Sequence, residues 1–207
     1  MKSKKYFETV ASHWDTLRES FFSKAVREKA FDTANLQPGK LAADIGAGTG
    51  YVTEGLVARG LNVIAVDQSK AMLNELKLKF PSSDQIDCRP GEAAKLPIPD
   101  NWVDYVFANM YLHHVETPSK AIKEMARILK PAGKLVITDM DEHDFDFLLT
   151  EHHDRWKGFK RKDIKRWFTE AGLKNIKVDC VGEECCAESS SGLEKASVSV
   201  FVASGES

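Results

Sequence analysis

L41-A-A-D-I-G-A-G-T-G50 is the stretch that decides how the rest of the chain is read. Leu41, Ala42, Ala43 and Ile45 form a short apolar run, the pattern of a strand buried on both faces of a parallel sheet. Gly46, Gly48 and Gly50 follow at alternate positions, so the backbone can turn tightly and approach a ligand with no Cβ in between. A helical pattern starts directly afterwards, from Tyr51 to Arg59. Strand, glycine turn and helix N-terminus in that order predict bare amides and the positive end of a helix dipole at the carboxyl edge of a sheet. Such a place suits a ligand with a negative end.

Spacing and one charge narrow the ligand. A dinucleotide fingerprint reads G-x-G-x-x-G and must accept a pyrophosphate, whereas the glycines here read G-x-G-x-G. Asp44 stands two residues before the first glycine, where an anion repels a diphosphate and attracts an ammonium or a sulfonium. S-adenosylmethionine (SAM) carries both of those cations, one carboxylate and no phosphate. A second apolar run, Val63 to Val66, ends in Asp67, about 20 residues past the first glycine, where a carboxylate accepts from ribose hydroxyls. Asp67 supports a nucleoside of either kind, so the choice of SAM over NAD rests on Asp44 and the third glycine.

From Leu41 to about Asp139 the chain resembles the class I SAM-dependent methyltransferases, within them the group similar to quinone-biosynthesis and other small-molecule methyltransferases. D44-I-G-A-G-T-G50 resembles the first motif of that family, and V63-I-A-V-D67-Q-S with A71-M-L its ribose-binding partner. G91-E-A-A-K-L-P97 is similar to the adenine-contacting loop, P99-D-N-W-V-D-Y-V-F107 to the fourth strand, L112-H-H-V115 to the turn beyond it, and R127-I-L-K-P-A-G133 to the approach to the fifth strand. The resemblance implies a cofactor site built from Asp44, Gly46, Ala47, Gly48 and Gly50 of the turn, with Asp67, Gln68 and Met72 after the second strand. It adds Glu92 accepting from the adenine amine, the Ala93 backbone amide, and Asn109 at the end of the fourth strand.

The 207 residues, 43% apolar and 29% charged, are ordinary for one globular domain spanning 1–207. Within it, 1–36 read as N-terminal helices that resemblance makes a lid, and 140–172 as an insertion walling the acceptor pocket. A net charge of −2 gives no electrostatic reason to expect nucleic acid or anionic lipid. The run of Lys157, Lys160, Arg161, Lys162, Lys165 and Arg166 reads as a solvated helix face. No apolar segment approaches a membrane span and MKSKKYFE lacks a signal-peptide core, so the expected location is cytoplasmic, as a monomer or homodimer. Cys88, Cys180, Cys185 and Cys186 have neither disulfide-framework nor standard zinc spacing, so four thiols and no metal are expected.

Along the chain, Tyr6, Phe7, Val10, Trp14 and Leu17 repeat with helical period, and a second helix is expected over Phe22 to Asn35. Trp14 reads equally well as a cover on the cofactor or as core. Further helices are expected over Met72 to Phe80, from Pro118 through Leu129, through Phe145 to His152, and from Lys162 to Ala171. Strands are expected at Gln85–Arg89, Val103–Ala108, Leu135–Thr138, Lys174–Val181 and Ser197–Ala203, with GEECCAESSSGLEKA a long polar hairpin loop between the last two. The expected fold is a doubly wound, Rossmann-like α/β sandwich. Its seven-stranded sheet is mostly parallel, of family order 3-2-1-4-5-7-6, with the seventh strand antiparallel.

The expected reaction is methyl transfer from SAM to a small-molecule acceptor, for which alignment and water exclusion matter more than a catalytic motif. If the acceptor needs deprotonation, histidine is the natural base. His114 is the first candidate, with His143 beside it; His113, His152 and His153 follow. Cys185-Cys186, too close in sequence for an ordinary disulfide, are candidates for recruiting a thiophilic metal, metalloid or thiol acceptor. Two other classes compete: a nicotinamide oxidoreductase, which wants the three-glycine dinucleotide turn, and a non-catalytic SAM-binding module, which keeps every motif.

Overall fold

The computed structural model describes residues 2–81 and 83–207; Met1 and Ser82 lie outside the described residues. Seven strands form one sheet: β1 (Leu41–Ile45), β2 (Asn62–Asp67), β3 (Ile86–Pro90), β4 (Val103–Asn109), β5 (Leu129–Met140), β6 (Lys174–Glu188) and β7 (Lys195–Glu206), in the order β3-β2-β1-β4-β5-β7-β6. β1 pairs parallel with β2 and β4, β2 with β3, and β4 with β5, whereas β7 runs antiparallel to β5 and β6. The expected order and the antiparallel seventh strand are both present. The sequence reverses direction across the sheet between β1 and β4, so their carboxyl ends flank the crevice where ligands of doubly wound sheets sit.

Why these segments become strands is visible in their burial. Ala42, Ala43 and Ile45 of β1 and Val63 to Val66 of β2 are buried on both faces, which is why they read as continuous apolar runs instead of alternating ones. One face packs Ile64, Val106, Leu135 and Phe201 against Ile122, Met125 and Phe168 of α6 (Pro118–Arg127) and α8 (Arg161–Glu170). The other packs Val63, Phe107 and Val202 against α3 (Lys24–Ala34) and α4 (Tyr51–Val57), with Phe31 edge-on to Phe107 at 5.5 Å between ring centres. α5 (Lys70–Lys79) completes the layers, its start capped by Ser69 accepting from the Met72 amide at 3.3 Å. Among the described residues no helix is long and apolar enough to cross a membrane.

Two expectations need correction. The N-terminal segment is α1 (Lys2–Val10), a 3₁₀ turn and α2 (Trp14–Phe21), because the chain bends at Ala11–His13 instead of continuing as one helix. The polar stretch 182–196 is not a long loop: β6 continues to Glu188 and β7 resumes at Lys195, with Cys185 paired to Val198 and Ala187 to Ala196. Its polarity is one-sided. Glu184, Cys186 and Glu188 face solvent, while Cys185 and Ala187 pack with Met140, Phe147 and Val198. The period of two was hidden because the inward residues are small.

Candidate functional site

A cavity of about 1030 Å³, including its mouth, opens at the carboxyl ends of β1, β2 and β4. Asp44, Gly46, Ala47, Gly48, Asp67, Gln68, Met72 and Asn109 line it, as do Tyr6, Phe7, Trp14, Arg18, Phe21 and Phe22 of the N-terminal helices. Its far end carries His113, His114, Met140, Leu148, His152, Asp154 and Cys185. The N-terminal helices are tied down beside the turn: Thr49 Oγ1 donates to Asp15 Oδ1 at 2.7 Å, and Lys79 pairs with Asp15 and donates to the Thr49 carbonyl.

The turn after β1 differs from the sequence expectation. Its amides are not bare: those of Gly46 and Ala47 donate to the Val66 carbonyl, and that of Gly48 donates to Asp67 Oδ2 at 2.9 Å. Asp44, buried, accepts at Oδ2 from both the amide (2.9 Å) and the hydroxyl (2.7 Å) of Thr53, so it occupies the start of α4 that an anionic ligand would need. Burial pushes the Asp44 carboxyl up to about 7, against the pull of those two hydrogen bonds, and the Asp67 charge adds to the rise. The cation facing the cavity is instead Arg18. It is 6% exposed, its guanidinium lies 3.9 Å from the centre of the Tyr51 ring, and its Nε has no hydrogen-bond partner.

Asp67 stands at the end of β2 with one oxygen on the Gly48 amide and the other on the Ser69 amide at 2.8 Å. Gly46 adopts φ +75°, and a Cβ built there meets the Tyr111 ring at 2.2 Å. The Tyr111 ring thus covers the turn at Gly46. Burial and the charges of Asp67 and Glu92 raise its phenol above its ordinary value. Glu92 and Ala93 do not line the cavity, since this ring stands between. Gly50, at φ +94°, packs against Leu76 instead of the cavity. Asn109 accepts from the Thr138 hydroxyl at 2.8 Å, and Met110, next in line, is held at φ 49°.

At the far end His113 Nδ1 lies 2.7 Å from Oδ1 of Asp139, which is fully buried and also accepts from the His113 and Met140 amides. Against the cost of burial, Asp139 and Asp154 raise His113 to about 9. Burial raises Asp154 to about 6, opposed by His113. His114 is driven well below its ordinary value by burial and the neighbouring His113 charge. Its Nδ1 has no hydrogen-bond partner and lies 3.6 Å from Asp154 Oδ1. His143 is elsewhere: it is absent from the cavity wall, and its Nδ1 accepts from the Phe145 amide at 3.2 Å. The two cysteines separate as strand neighbours must, Cys185 inward and Cys186 outward, and burial with the nearby carboxylates pushes the Cys185 thiol up to about 12.

Sequence reasoning missed Arg18, Tyr111, Asp139 and Asp154. The Y111-L-H-H114 and H152-H-D154 clusters were on view, but their meeting needs the register of β4 with β5 and the return of the chain after α7 (Asp146–Glu151).

Residues 43–137 match a family model described as a methyltransferase domain. A demethylmenaquinone methyltransferase of Bacillus licheniformis is 31% identical over 202 residues, covering 82% of this chain and 87% of that protein. The chain belongs to the class I SAM-dependent methyltransferases. A demethylmenaquinone methyltransferase of Renibacterium salmoninarum is 34% identical over 142 residues, 67% of this chain; the chain spans 59% of that relative's length. Among solved structures, a SAM-dependent methyltransferase from Aquifex aeolicus superposes with TM-score 0.68 at 21% identity, covering 95% of this chain and 97% of that one. The YcgJ protein of Bacillus subtilis reaches 0.74 at 17%, covering 89% and 98%.

SAM is the cofactor of this methyltransferase fold, and the residues present fit it. The orphaned Nε of buried Arg18 suits the one carboxylate of SAM, Asp44 offers a carboxyl to its cations, and Asp67 stands where the ribose is expected.

Proposed function

We propose that this methyltransferase moves the SAM methyl to a small, largely apolar acceptor, an aromatic ring with a hydroxyl or thiol being the best fit. The observation that carries the reading is one cavity with a glycine turn and Asp67 at one end and His113, His114 and Asp154 at the other. In this reading Arg18 binds the SAM carboxylate, Asp67 the ribose, and Gln68 and Met72 flank the nucleoside. Tyr111 must swing off Gly46 before adenine can reach Glu92 and the Ala93 amide.

The sulfonium of SAM makes the methyl electrophilic when bound. The chain's own contribution is to hold the acceptor in line and keep water out, worth about 7–11 kcal/mol in well-aligned systems. Phe7, Trp14 and Phe21, in edge-to-face and tilted ring contacts that run from His114 to His152, form the water-excluding cover. His114 Nδ1, buried and without a hydrogen-bond partner, is the group placed to take a hydrogen bond from the acceptor.

Two relatives named demethylmenaquinone methyltransferase support a quinol-like acceptor for this chain as well. The pairing of Cys185 with Cys186 as a joint grip on a metalloid loses support, because only Cys185 faces the cavity. The test is formation of S-adenosylhomocysteine against hydroquinones, phenols, thiols and amines. Tight SAM binding with no product from any class would favour a non-catalytic SAM-binding module.

A further inference from the structure

Three buried groups that can ligate a metal converge on one point of the cavity wall. His113 Nε2 and His114 Nδ1 lie 3.7 and 3.6 Å from the same oxygen, Asp154 Oδ1, and all three fall within 4.8 Å of one another. These distances are too long for hydrogen bonds. His113 presents Nε2 there because its Nδ1 is engaged by the Asp139 carboxylate, and His114 presents an Nδ1 that has no hydrogen-bond partner. The Asp139 carboxylate is itself fixed by two backbone amides and keeps a proton on His113 Nδ1, so Nε2 is the nitrogen a metal ion takes, displacing the proton held there.

Side chains of all three are more than nine-tenths buried, and His114 Nδ1 has no partner at all. A proton on one atom serves one pair and leaves the third atom orphaned. A cation serves all three.

We propose that His113, His114 and Asp154 bind one divalent transition-metal ion of the zinc type, with its fourth position open to the cavity. Ligand bonds of about 2.0–2.1 Å place tetrahedral ligand atoms about 3.3 Å apart, a few tenths of an ångström inside the two distances to Asp154 Oδ1. Three protein ligands with one open position is the arrangement of sites that bind a reactant, and the carboxylate behind His113 is the outer partner that orients metal-bound histidines. Cys185, on the same wall, adds a soft neighbour at the open side.

The role of the ion rests on the methyl-transfer reading; the ion's binding does not. An acceptor hydroxyl or thiol coordinated at the open position releases its proton to solvent, and its lone pair forms the new bond to the methyl carbon. The carbon–sulfur bond of SAM breaks with its electron pair going to sulfur, leaving neutral S-adenosylhomocysteine.

The experiment uses tag-free full-length protein stripped with chelator, then titrated with Zn²⁺ and separately with Co²⁺. One equivalent bound per chain is expected, with the visible absorption of four-coordinate Co²⁺. His114→Ala and Asp154→Asn should each weaken binding at least a hundredfold, and Asp139→Asn by about ten- to a hundredfold through His113. SAM affinity and thermal unfolding, measured in parallel, report folding. Should Asp154→Asn not fold, His114→Ala and the wild-type stoichiometry decide. Absence of stoichiometric metal in the wild type, or equal affinity in folded variants, overturns the proposal. Metal binding without methyl transfer to any acceptor leaves the site standing and overturns the methyl-transfer reading alone.

Discussion

Gly46→Ala is the substitution whose cost the structure allows to be split into parts. At φ +75° an alanine pays the left-handed backbone penalty, about 1–2 kcal/mol. Its Cβ also falls 2.2, 2.3 and 2.8 Å from Cδ2, Cγ and Cε2 of Tyr111, so the ring must leave. The displaced ring gives up part of its burial, about 1–2 kcal/mol. The single variant should therefore lose about 2–4 kcal/mol in urea unfolding. In a Tyr111→Ala background the overlap is gone and only the backbone part remains, so Gly46→Ala should cost about 1–2 kcal/mol there. The cycle of four proteins thus predicts a coupling of about 1–2 kcal/mol. Costs that add to within about 0.5 kcal/mol would refute the placement of Tyr111 on the turn.

Asp67→Ala should leave the protein folded and weaken SAM by about 1.5–3 kcal/mol, the worth of hydrogen bonds to a charged group, and unchanged calorimetric affinity removes Asp67 from the site. His114→Ala should lower turnover about a hundredfold or more with SAM affinity retained; equal turnover at saturating acceptor excludes His114. Asp44, raised from 3.8 to about 7, keeps its full stability contribution below about pH 4 and loses it as pH rises through 7. SAM, carrying cations, prefers the ionised carboxylate, so its affinity should climb with pH up to about 7 and binding at pH 6 should release protons. Calorimetry in two buffers of different ionisation heat reads that release directly, and none at pH 6 counts against contact with Asp44. Cys185→Ser should change acceptor KM whereas Cys186→Ser should not, because only the first faces the cavity; equal effects would show that the strand is read in the wrong register.

What was legible in the sequence is what the chain encodes locally. The continuous apolar runs of β1 and β2, the glycines between strand and helix, and Pro118 at the head of α6 each announce their element within about ten residues, and together they fix the sheet order through one familiar topology. The capture of the turn's amides was not legible. It depends on Val66 and Asp67 arriving alongside Gly46 to Gly48, which is a matter of register between β1 and β2. The extension of β6 past Cys185 was concealed by small inward residues, and the destination of Arg18 by an N-terminal segment that crosses the cavity instead of joining the sheet.

These two kinds of residue divide the cavity between them. The glycine-turn side is built mostly from one strand-turn-helix unit and the end of its neighbour, within residues 44–72, with Arg18 and Asn109 added from α2 and β4. The opposite side, the acceptor end of the proposed reaction, gathers Phe7, Phe21, His113, Leu148, Asp154 and Cys185 from α1, α2, the turn after β4, α7, the return loop and β6. No pair of these elements is adjacent in the sheet, and their side chains meet only because Asp139 at the end of β5 anchors His113 and the extended hairpin of β6 and β7 closes the wall behind Leu148. Substitution at any of them can reshape the acceptor space without touching Asp67 or the glycine turn. A chain so divided shows its glycine turn through short motifs, whereas the buried cluster of His113, His114 and Asp154 comes together only through three-dimensional convergence.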